Sequence, residues 1–365
     1  MKIVSANVWE ISTAAPGRQS TRYGASSTVE RVIIRLEDGE GNEGWGESVP
    51  LTHYSGETAS TAAAALRSAA GNLVKRSGDD PLAEMDQLAD FSKQHAARAG
   101  LEVALLDLLA KETGKPFGHW LGGAKRTEVP LYRSIGLLTP REAVERARKY
   151  FDRGVSTFKV KVGVDLETDA ERVLALRKAF GDDIHIRMDA NGGYSPEEAL
   201  RFCEKLRNAR IEHLEQPVQP DEKSIFEVCR RIRAMGVPVA VDESLLSGEE
   251  ARRFIDEDAV DVGVLKSIKF GGPIAARRVG AIFEKAGKSP IVSSPYESLI
   301  GKAATLALAL SLEKGGKAHE FSDPEGDFTA SRHRYEGSRF TWTECAGLGA
   351  WGIPERLDAL LKVPA

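Results

Sequence analysis

Three acidic residues close three consecutive strand-like segments at nearly equal intervals. Asp189 ends HIRMD, Glu215 ends IEHLE and Asp242 directly follows VPVAV, so the intervals are 26 and 27 residues. One strand plus one helix accounts for such an interval, and in a barrel of parallel strands it brings the three carboxylates to the mouth where barrel enzymes carry out their chemistry. Carboxylate oxygens are hard ligands, which predicts a bound Mg²⁺.

Two lysines continue this spacing in both directions. Lys161 lies 28 residues before Asp189, and Lys266 lies 24 residues after Asp242. With VPLYRSI counted as the first barrel strand, the lysines fall on strands 2 and 6. Strands four apart in a ring of eight face each other, so the two amines are expected to flank whatever the metal holds.

Lys159 precedes Lys161 by two residues, so both side chains point to the same face of a strand. Repulsion between two ammonium groups, and from a nearby Mg²⁺, is expected to lower a lysine pKa from about 10.4 towards the working pH. A neutral amine is a general base, and Lys161, nearer the strand end, is the better candidate. Lys159 is then expected to stay charged as an electrostatic partner.

The chemistry that fits these groups is abstraction of a proton from the carbon next to a carboxylate. A metal on the carboxylate oxygens stabilises the resulting enediolate. Lys161 on one face and Lys266 on the other would return a proton from the opposite side, which inverts the stereocentre. Glu297, about one period beyond Lys266, is expected to bind substrate or a lysine, or to be a solvated loop acid.

The elements that would position these residues fall into three parts. Residues 1–128 have β-rich stretches followed by helical segments, including PLAEMDQLADF, which indicates an α+β capping domain. Residues 129–324 alternate strand and helix, which predicts parallel strands with helical crossovers and leaves room for a barrel. Residues 325–365 lack this alternation and are expected to pack back on the capping domain.

Side-chain parity favours a barrel over an open doubly wound sheet, which alternation alone would also allow. In the second strand Phe158, Val160 and Val162 alternate with Thr157, Lys159 and Lys161. A parallel sheet covered on both faces would be apolar throughout. One polar face indicates a polar barrel interior below the mouth, with helices outside.

Composition excludes several classes of partner. The net charge is −4 with acids and bases interspersed, so no basic field attracts nucleic acid or a membrane. The three cysteines are scattered, which argues against a disulfide framework or a zinc site. No run approaches the roughly 18 apolar residues of a membrane span, and the first residues have no apolar leader, so a cytoplasmic location is expected.

Six short motifs carry a resemblance to a known family. They are Gly-Trp-Gly-Glu at 44–47, Lys-Val-Lys at 159–161, Asp-Ala-Asn at 189–191, Glu-Gln-Pro at 215–217, Val-Asp-Glu-Ser at 241–244, and Lys266 ahead of Lys269-Phe-Gly-Gly. With them the chain resembles the mandelate racemase and muconate lactonizing enzyme family of the enolase superfamily over nearly its whole length. Lys-x-Lys with a strand 6 lysine is similar to the muconate lactonizing enzyme subgroup.

This resemblance implies an α+β cap over a modified (β/α)7β TIM-like barrel and a homo-oligomer. It also implies Mg²⁺ bound by Asp189, Glu215 and Asp242, with Lys161 and Lys266 as acid and base. Residues expected to contact the small carboxylate substrate come from the capping loops and the strand ends: Tyr23, His53, Asn191, Tyr296, Glu297 and Asp323. Dipeptide epimerases of the subgroup usually have Asp-x-Asp near strand 8, where this chain has Glu320-Phe-Ser-Asp323.

The leading interpretation is a racemase or epimerase of an amino acid derivative. The same enolate would also serve a syn-elimination, as in a dehydratase or an o-succinylbenzoate synthase, or a cycloisomerisation. A different class would use a lysine as a Schiff-base nucleophile, as lyases on barrels do. A catalytically silent metal-binding scaffold is a further alternative.

Overall fold

The first part of the chain is a three-stranded antiparallel sheet covered by helices. In the computed structural model, which describes residues 2–15, 27–75, 82–83, 85–294, 296–323 and 327–361, the sheet order is β1-β2-β3. The strands and helices of this capping region are β1 Ile3–Ala14, β2 Thr28–Asp38, β3 Glu43–Ser48, α1 Thr52–Ser55, α2 Ala59–Lys75 and α3 His95–Glu112. Strands followed by helices agree with the α+β organisation expected from the sequence.

The glycines of the Gly-Trp-Gly-Glu motif let α3 lie directly on β3. A Cβ added at Gly44 would stand 2.2 Å from the carbonyl oxygen of Ala104, and one at Gly46 would stand 2.0 Å from that of Gly100. Both distances are far inside van der Waals contact. The backbones therefore touch with no side chain between them, which fixes where Glu47 leaves the end of β3.

We expect Gly46→Ala to lower the free energy of unfolding by about 1–3 kcal/mol, because α3 must move away from β3. The matched control is Gly71→Ala in the interior of α2, where an added Cβ meets open space. Alanine should stabilise that helix by about 0.5–1 kcal/mol. Urea unfolding of both variants checks this; equal stabilities would contradict the close packing.

One expected helix of the capping region is absent from the described residues. PLAEMDQLADF was predicted to be helical, but there the structure has a single 3-10 turn, Met85–Gln87. Met85, Leu88 and Phe91 are all buried and lie three residues apart. A spacing of three suits tight turns as well as a helix, and the carboxylate of Asp90 accepts a hydrogen bond from the N–H of Ser92, which favours a turn.

Residues beyond the capping region form the predicted barrel. Eight parallel strands run in the order β4 to β11, and β11 pairs with β4, so the sheet closes. The barrel strands are β4 Glu128–Ile135, β5 Thr157–Lys161, β6 His185–Asp189, β7 Ile211–Glu215, β8 Val239–Val241, β9 Val262–Leu265, β10 Ser289–Ser294 and β11 His319–Phe321. The helices between them are α4 Pro140–Phe151, α5 Leu166–Phe180, α6 Pro196–Lys205, α7 Ile225–Ala234, α8 Gly248–Asp256, α9 Ser267–Phe270, α10 Pro273–Lys285 and α11 Leu299–Ser311. The (β/α)7β barrel is confirmed.

Local sequence signals set the helix starts. Ser195 caps α6 with a capping box, in which its side chain accepts from the N–H of Glu198 and the Glu198 carboxylate accepts in return from the N–H of Ser195. Pro196 occupies the first helical position. Thr139 and Glu142 form the same box at α4. These two boxes fix where α4 and α6 begin.

The last segment touches both the capping region and the barrel. Its elements are β12 Thr329–Ser331, β13 Arg334–Glu336, β14 Arg339–Thr341, β15 Ala350–Gly352 and α12 Pro354–Ala359. β14 pairs with β4, while Leu361 forms a bridge with Ile11 of β1. The expected boundaries at residues 128 and 324 stay predictions. Among the described residues, every helix is too short or too polar to span a bilayer.

A buried histidine at the closing strand makes barrel stability sensitive to acid. His319 Nδ1 accepts from the N–H of Val292, Nε2 lies 3.1 Å from the carbonyl oxygen of Gly315, and burial lowers the pKa of His319 to about 4. The folded protein favours the neutral imidazole of His319. The stability that this imidazole contributes is therefore complete above about pH 6.5, the ordinary histidine pKa, and is lost as the pH falls towards 4.

We expect this loss to be about 3 kcal/mol of unfolding free energy, since one pKa unit is worth about 1.4 kcal/mol. Urea unfolding of the wild type and of His319→Gln between pH 7 and 4 checks it. Glutamine can replace both hydrogen bonds and does not titrate, so the variant should lose less stability over this range. Equal losses in the two proteins would contradict the assignment.

Candidate active site

The strand register brings the three predicted carboxylates side by side at the barrel mouth. Asp189 lies opposite Lys161 on one side and opposite Glu215 on the other. Glu215 in turn pairs with Ala240, two residues before Asp242. The three carboxylates are at most 1% exposed. The repeat read from the sequence thus corresponds to adjacent strand ends.

Each of the two predicted acid-base lysines is paired with a different carboxylate. Lys161 Nζ lies 2.6 Å from Asp189 Oδ2, and Lys266 Nζ lies 2.5 Å from Asp242 Oδ2. Lys161 ends β5 and Lys266 directly follows β9, four strands away in the closed ring. The two amines therefore approach the mouth from opposite sides, as the spacing predicted.

Two further lysines contact the buried carboxylates. Lys159 Nζ lies 3.2 Å from Asp189 Oδ2 and 3.3 Å from Glu215 Oε1. Lys269 Nζ lies 2.7 Å from Asp242 Oδ1 and also donates to the carbonyl oxygens of Asp242 and Val264. Sequence reasoning quoted Lys269 within a motif but gave it no site role; its distance of three residues from Lys266 was the available signal.

The carboxylates differ in how far these lysines compensate their charge. Burial would raise the pKa of Asp189, but Lys161 and Lys159 outweigh it and hold the pKa below its usual value. Lys266 and Lys269 do the same for Asp242 against its burial. For Glu215, burial and the charge of Asp189 raise the pKa to about 8, despite Lys159. Glu215 is therefore the carboxylate most in need of another cation.

The residues present fit a divalent cation. Glu215 Oε2 is buried and, within the described ranges, accepts no hydrogen bond. Such an orphaned oxygen is costly unless something positive binds it. Among the described residues no three His, Cys, Asp or Glu side chains are already grouped as a metal site. Instead, Asp189 Oδ2 contacts the ammonium group of Lys161 at 2.6 Å and Asp242 Oδ2 contacts that of Lys266 at 2.5 Å. A cation would take the place of those contacts.

The carboxylates around two of the lysines favour the charged form of the amine. Burial acts to lower the pKa of Lys159, but Glu215 and Glu320 outweigh it and raise the pKa well above normal. At Lys266 burial is likewise outweighed, by Asp242, and the pKa is raised. Repulsion between two ammonium groups is thus weaker than attraction by the carboxylates around them. Lys159 as a charged partner agrees with this balance.

Asn191 holds the amine of Lys161. Its Oδ1 accepts from Lys161 Nζ at 3.0 Å, and its Nδ2 donates to Glu243 Oε1 at 2.9 Å. Asn191 adopts φ 45°, a left-handed conformation that asparagine tolerates better than most residues. It was expected to contact substrate; in the structure its side-chain amide bridges Lys161 and Glu243.

Glu320, the middle residue of β11, is an interior acid that appeared in the strand 8 motif but was given no site role from the sequence. It accepts hydrogen bonds from three hydroxyls, those of Tyr132 at 3.2 Å, Ser134 at 2.8 Å and Ser293 at 2.6 Å. Burial acts to raise its pKa, yet Lys159, 3.5 Å away, and the Ser293 hydroxyl lower it to about 2. Glu320 therefore supports Lys159, whereas Asp323 is exposed.

Glu297 is buried beside the cap rather than solvated. Its carboxylate accepts from the Ser294 hydroxyl at 2.9 Å, and burial together with Glu47 raises its pKa. Glu47 in turn accepts from the N–H and hydroxyl of Ser298 at the start of α11. Arg31 binds Glu47 and the carbonyl oxygen of Tyr296. The loop of Tyr296 and Glu297 is thus fixed by the cap.

The remaining residues predicted to contact substrate come from the capping loops. Tyr23 and the side chain of His53 lie outside the described residues. Next to His53, Tyr54 reaches from α1 to the barrel mouth, where its hydroxyl donates to Asp242 Oδ2 at 3.1 Å and accepts from Lys266 Nζ at 2.5 Å. From the sequence, His53 was expected to contact substrate, whereas its neighbour Tyr54 was given no site role.

Comparison with known proteins agrees with this architecture. The family model described as enolase C-terminal domain-like matches residues 142–351, and the model of the mandelate racemase / muconate lactonizing enzyme N-terminal domain matches residues 6–122. Together they cover the cap and most of the barrel. The chain belongs to the mandelate racemase and muconate lactonizing enzyme family of the enolase superfamily.

Three similar proteins are isomerases of amino acid derivatives. The N-succinyl-L-Arg/Lys racemase of Bacillus cereus is 28% identical over 318 residues, 85% of each chain. A hydrophobic dipeptide epimerase of Citrifermentans bemidjiense is 32% identical over 84% of each. The structure of a dipeptide epimerase from Cytophaga hutchinsonii, solved with Mg and the dipeptide D-Ala-L-Val, has a TM-score of 0.91 at 27% identity and covers 100% of this chain and 99% of its own.

Proposed function

We propose that this protein is a Mg²⁺-dependent racemase or epimerase that inverts the α-carbon of an amino acid derivative with a free carboxylate. The observation that carries the proposal is the placement of Lys161 and Lys266 on strands four apart, each against a different carboxylate of one buried group. A planar intermediate between the two amines can lose a proton to one and gain a proton from the other.

Asp189, Glu215 and Asp242 are the residues that would hold Mg²⁺, and the orphaned oxygen of Glu215 supports this assignment. When bound, the cation supplies positive charge that stabilises the substrate carboxylate as it gains electron density. The protein supplies the proton transfers. Lys161 enters as the amine and takes the α-proton, and Lys266 enters as the ammonium and delivers a proton to the opposite face; the enantiomer uses them in the reverse order.

Three other side chains offset negative charge or orient the two lysines that transfer protons. Lys159, between Asp189, Glu215 and Glu320, stays cationic and offsets negative charge below the mouth. Asn191 and Tyr54 each accept a hydrogen bond from one of the proton-carrying lysines. Side chains that are already oriented need little rearrangement during the reaction. Most of the rate enhancement would arise from this preorganisation.

The substrate class follows from what the similar proteins share. An N-succinyl amino acid has an acylated nitrogen and a free carboxylate on its α-carbon, and so has the C-terminal residue of a dipeptide. We therefore propose an N-acylated amino acid, with Tyr296, Glu297 and the capping loops of Tyr23 and His53 near its variable groups. A homo-oligomeric state and a cytoplasmic location also stay proposals.

The test is a substrate screen with purified protein and Mg²⁺. N-succinyl, N-acetyl and N-aminoacyl derivatives of single enantiomers are incubated and followed by optical rotation and by mass. Inversion without change of mass, lost with a chelator and restored by Mg²⁺, is the expected result. Loss of water or ring closure would assign an elimination or a cycloisomerisation instead, and a chelator-insensitive adduct trapped by borohydride would assign a Schiff-base lyase.

A further inference from the structure

We infer that Tyr54 of the cap is a positioning residue for Lys266, so that the cap controls proton transfer on one face of the substrate only. This inference rests on the proposed two-lysine function. The two proton-carrying lysines differ in the origin of their second partner. Lys161 is held by Asp189 and by Asn191, which both belong to the barrel. Lys266 is held by Asp242 of the barrel and by Tyr54 of the cap.

The contact between Tyr54 and Lys266 involves both the hydroxyl and the ring. The hydroxyl accepts from Lys266 Nζ at 2.5 Å and donates to Asp242 Oδ2, so all three groups form one hydrogen-bonded triangle. Lys266 Nζ also lies 4.9 Å from the centre of the Tyr54 ring, within the range of cation–π attraction. One tyrosine thus restrains both the direction and the distance of this amine.

The cap holds Tyr54 firmly enough to do this. Two residues after α1, the carboxylate of Glu57 accepts from the N–H groups of Ala96 and Ala97 in the first turn of α3, at 2.9 and 2.8 Å. The helix α3 is itself fixed to the barrel, since Glu102 accepts from the N–H of Ile274 at the start of α10. The position of Tyr54 therefore depends on how the cap packs against the barrel.

The role of Tyr54 becomes larger when Asp242 takes part in cation binding. An ammonium group has three donors, and in the structure Asp242 and Tyr54 accept two of them from Lys266. Any shift of the Asp242 oxygens towards a cation weakens their hold on Lys266. The phenol oxygen then remains as a neutral acceptor that does not compete for the cation, whereas on the other face Asn191 has this function for Lys161.

The first arm of the test compares α-proton exchange from the two enantiomers in D₂O. For Tyr54→Phe we expect two rates to fall about 10- to 100-fold: the rate of inversion, and the rate of exchange of the enantiomer whose α-proton faces Lys266. This factor corresponds to the loss of one hydrogen bond to a charged group. Exchange of the enantiomer facing Lys161 should stay within about twofold, because its partners lie in the barrel. Equal losses for both enantiomers, or none, would overturn the inference.

A second arm measures the contact without turnover. The Mg²⁺-free protein receives a brief, limiting pulse of acetic anhydride, and mass spectrometry of the peptides gives the labelling of Lys266 relative to Lys161. Tyr54→Phe should raise this ratio severalfold, and an unchanged ratio would overturn the contact. The matched control is Tyr150→Phe on α4, which should change neither arm; circular dichroism verifies that both variants are folded.

The two arms separate failure of this inference from failure of the proposed function. If the wild-type protein exchanges no substrate, the two-lysine function fails while the labelling ratio still decides whether Tyr54 holds Lys266. If exchange is normal and Tyr54→Phe affects both faces equally, the function stands and the one-sided role of the cap is wrong.

Discussion

Lys266→Ala will lose inversion while still exchanging the α-proton of one enantiomer with solvent. The remaining amine, Lys161, can remove the proton that faces it and return deuterium to the same face. The proposed proton donor on the other face is then missing, so inversion should not be completed. We expect inversion to fall about 10²- to 10⁴-fold, the usual contribution of a general acid or base.

Lys161→Ala is the matched variant, and its result should be the mirror image. It is expected to exchange only the enantiomer that Lys266→Ala leaves inert, because Lys161 and Lys266 stand on opposite sides of the ring. NMR of each pure enantiomer in D₂O with Mg²⁺ measures both. Exchange of both enantiomers by either single variant would show that one group serves both faces.

The second large effect is expected at the proposed metal site. Glu215→Gln keeps the shape of the side chain and removes its charge, so affinity for Mg²⁺ should fall at least about tenfold, since ligand charge tunes such sites. Isothermal titration of Mg²⁺ into the protein measures this without any substrate. Glu215 is the informative choice because its Oε2 is buried without a hydrogen-bond donor in the described structure.

Glu297→Gln is the control for this experiment. Glu297 is also a buried carboxylate at the mouth, but its hydrogen bonds come from Ser294 and its own loop. We expect Mg²⁺ affinity to stay within about twofold of the wild type. An equal loss in both variants would mean that general negative charge at the mouth, rather than Glu215, binds the cation.

The sequence was sufficient for the barrel and for the groups at its mouth because both follow a repeat. Asp189, Glu215 and Asp242 recur with the strand-helix unit, and the structure places them on adjacent strand ends. The alternation expected along β5 is also observed, since Phe158 and Val160 belong to the apolar core while Lys159 and Lys161 contact the carboxylates at the mouth. Periodicity reports on such positions directly.

The contacts between the cap and the barrel could not be read from the sequence in this way. Tyr54 and Lys266 are 212 residues apart, and Glu47 and Ser298 are 251 apart. No repeat links such pairs, because their contacts depend on how the cap packs on the barrel. Lys159 was expected to stay charged, and Glu215 and Glu320 raise its pKa accordingly, but the part that Glu320 plays could not be read from the Lys-x-Lys motif.

Isotope incorporation during the first turnovers tests most directly whether two amines act on opposite faces of the substrate. One pure enantiomer of a substrate from the screen is incubated with the wild-type protein and Mg²⁺ in D₂O, and the reaction is stopped early. We expect the inverted product to contain deuterium at the α-carbon from its first appearance, because the lysine on the opposite face delivers a solvent-derived deuteron. Inverted product that retains the original hydrogen would contradict the account, since a single group would then carry that proton across.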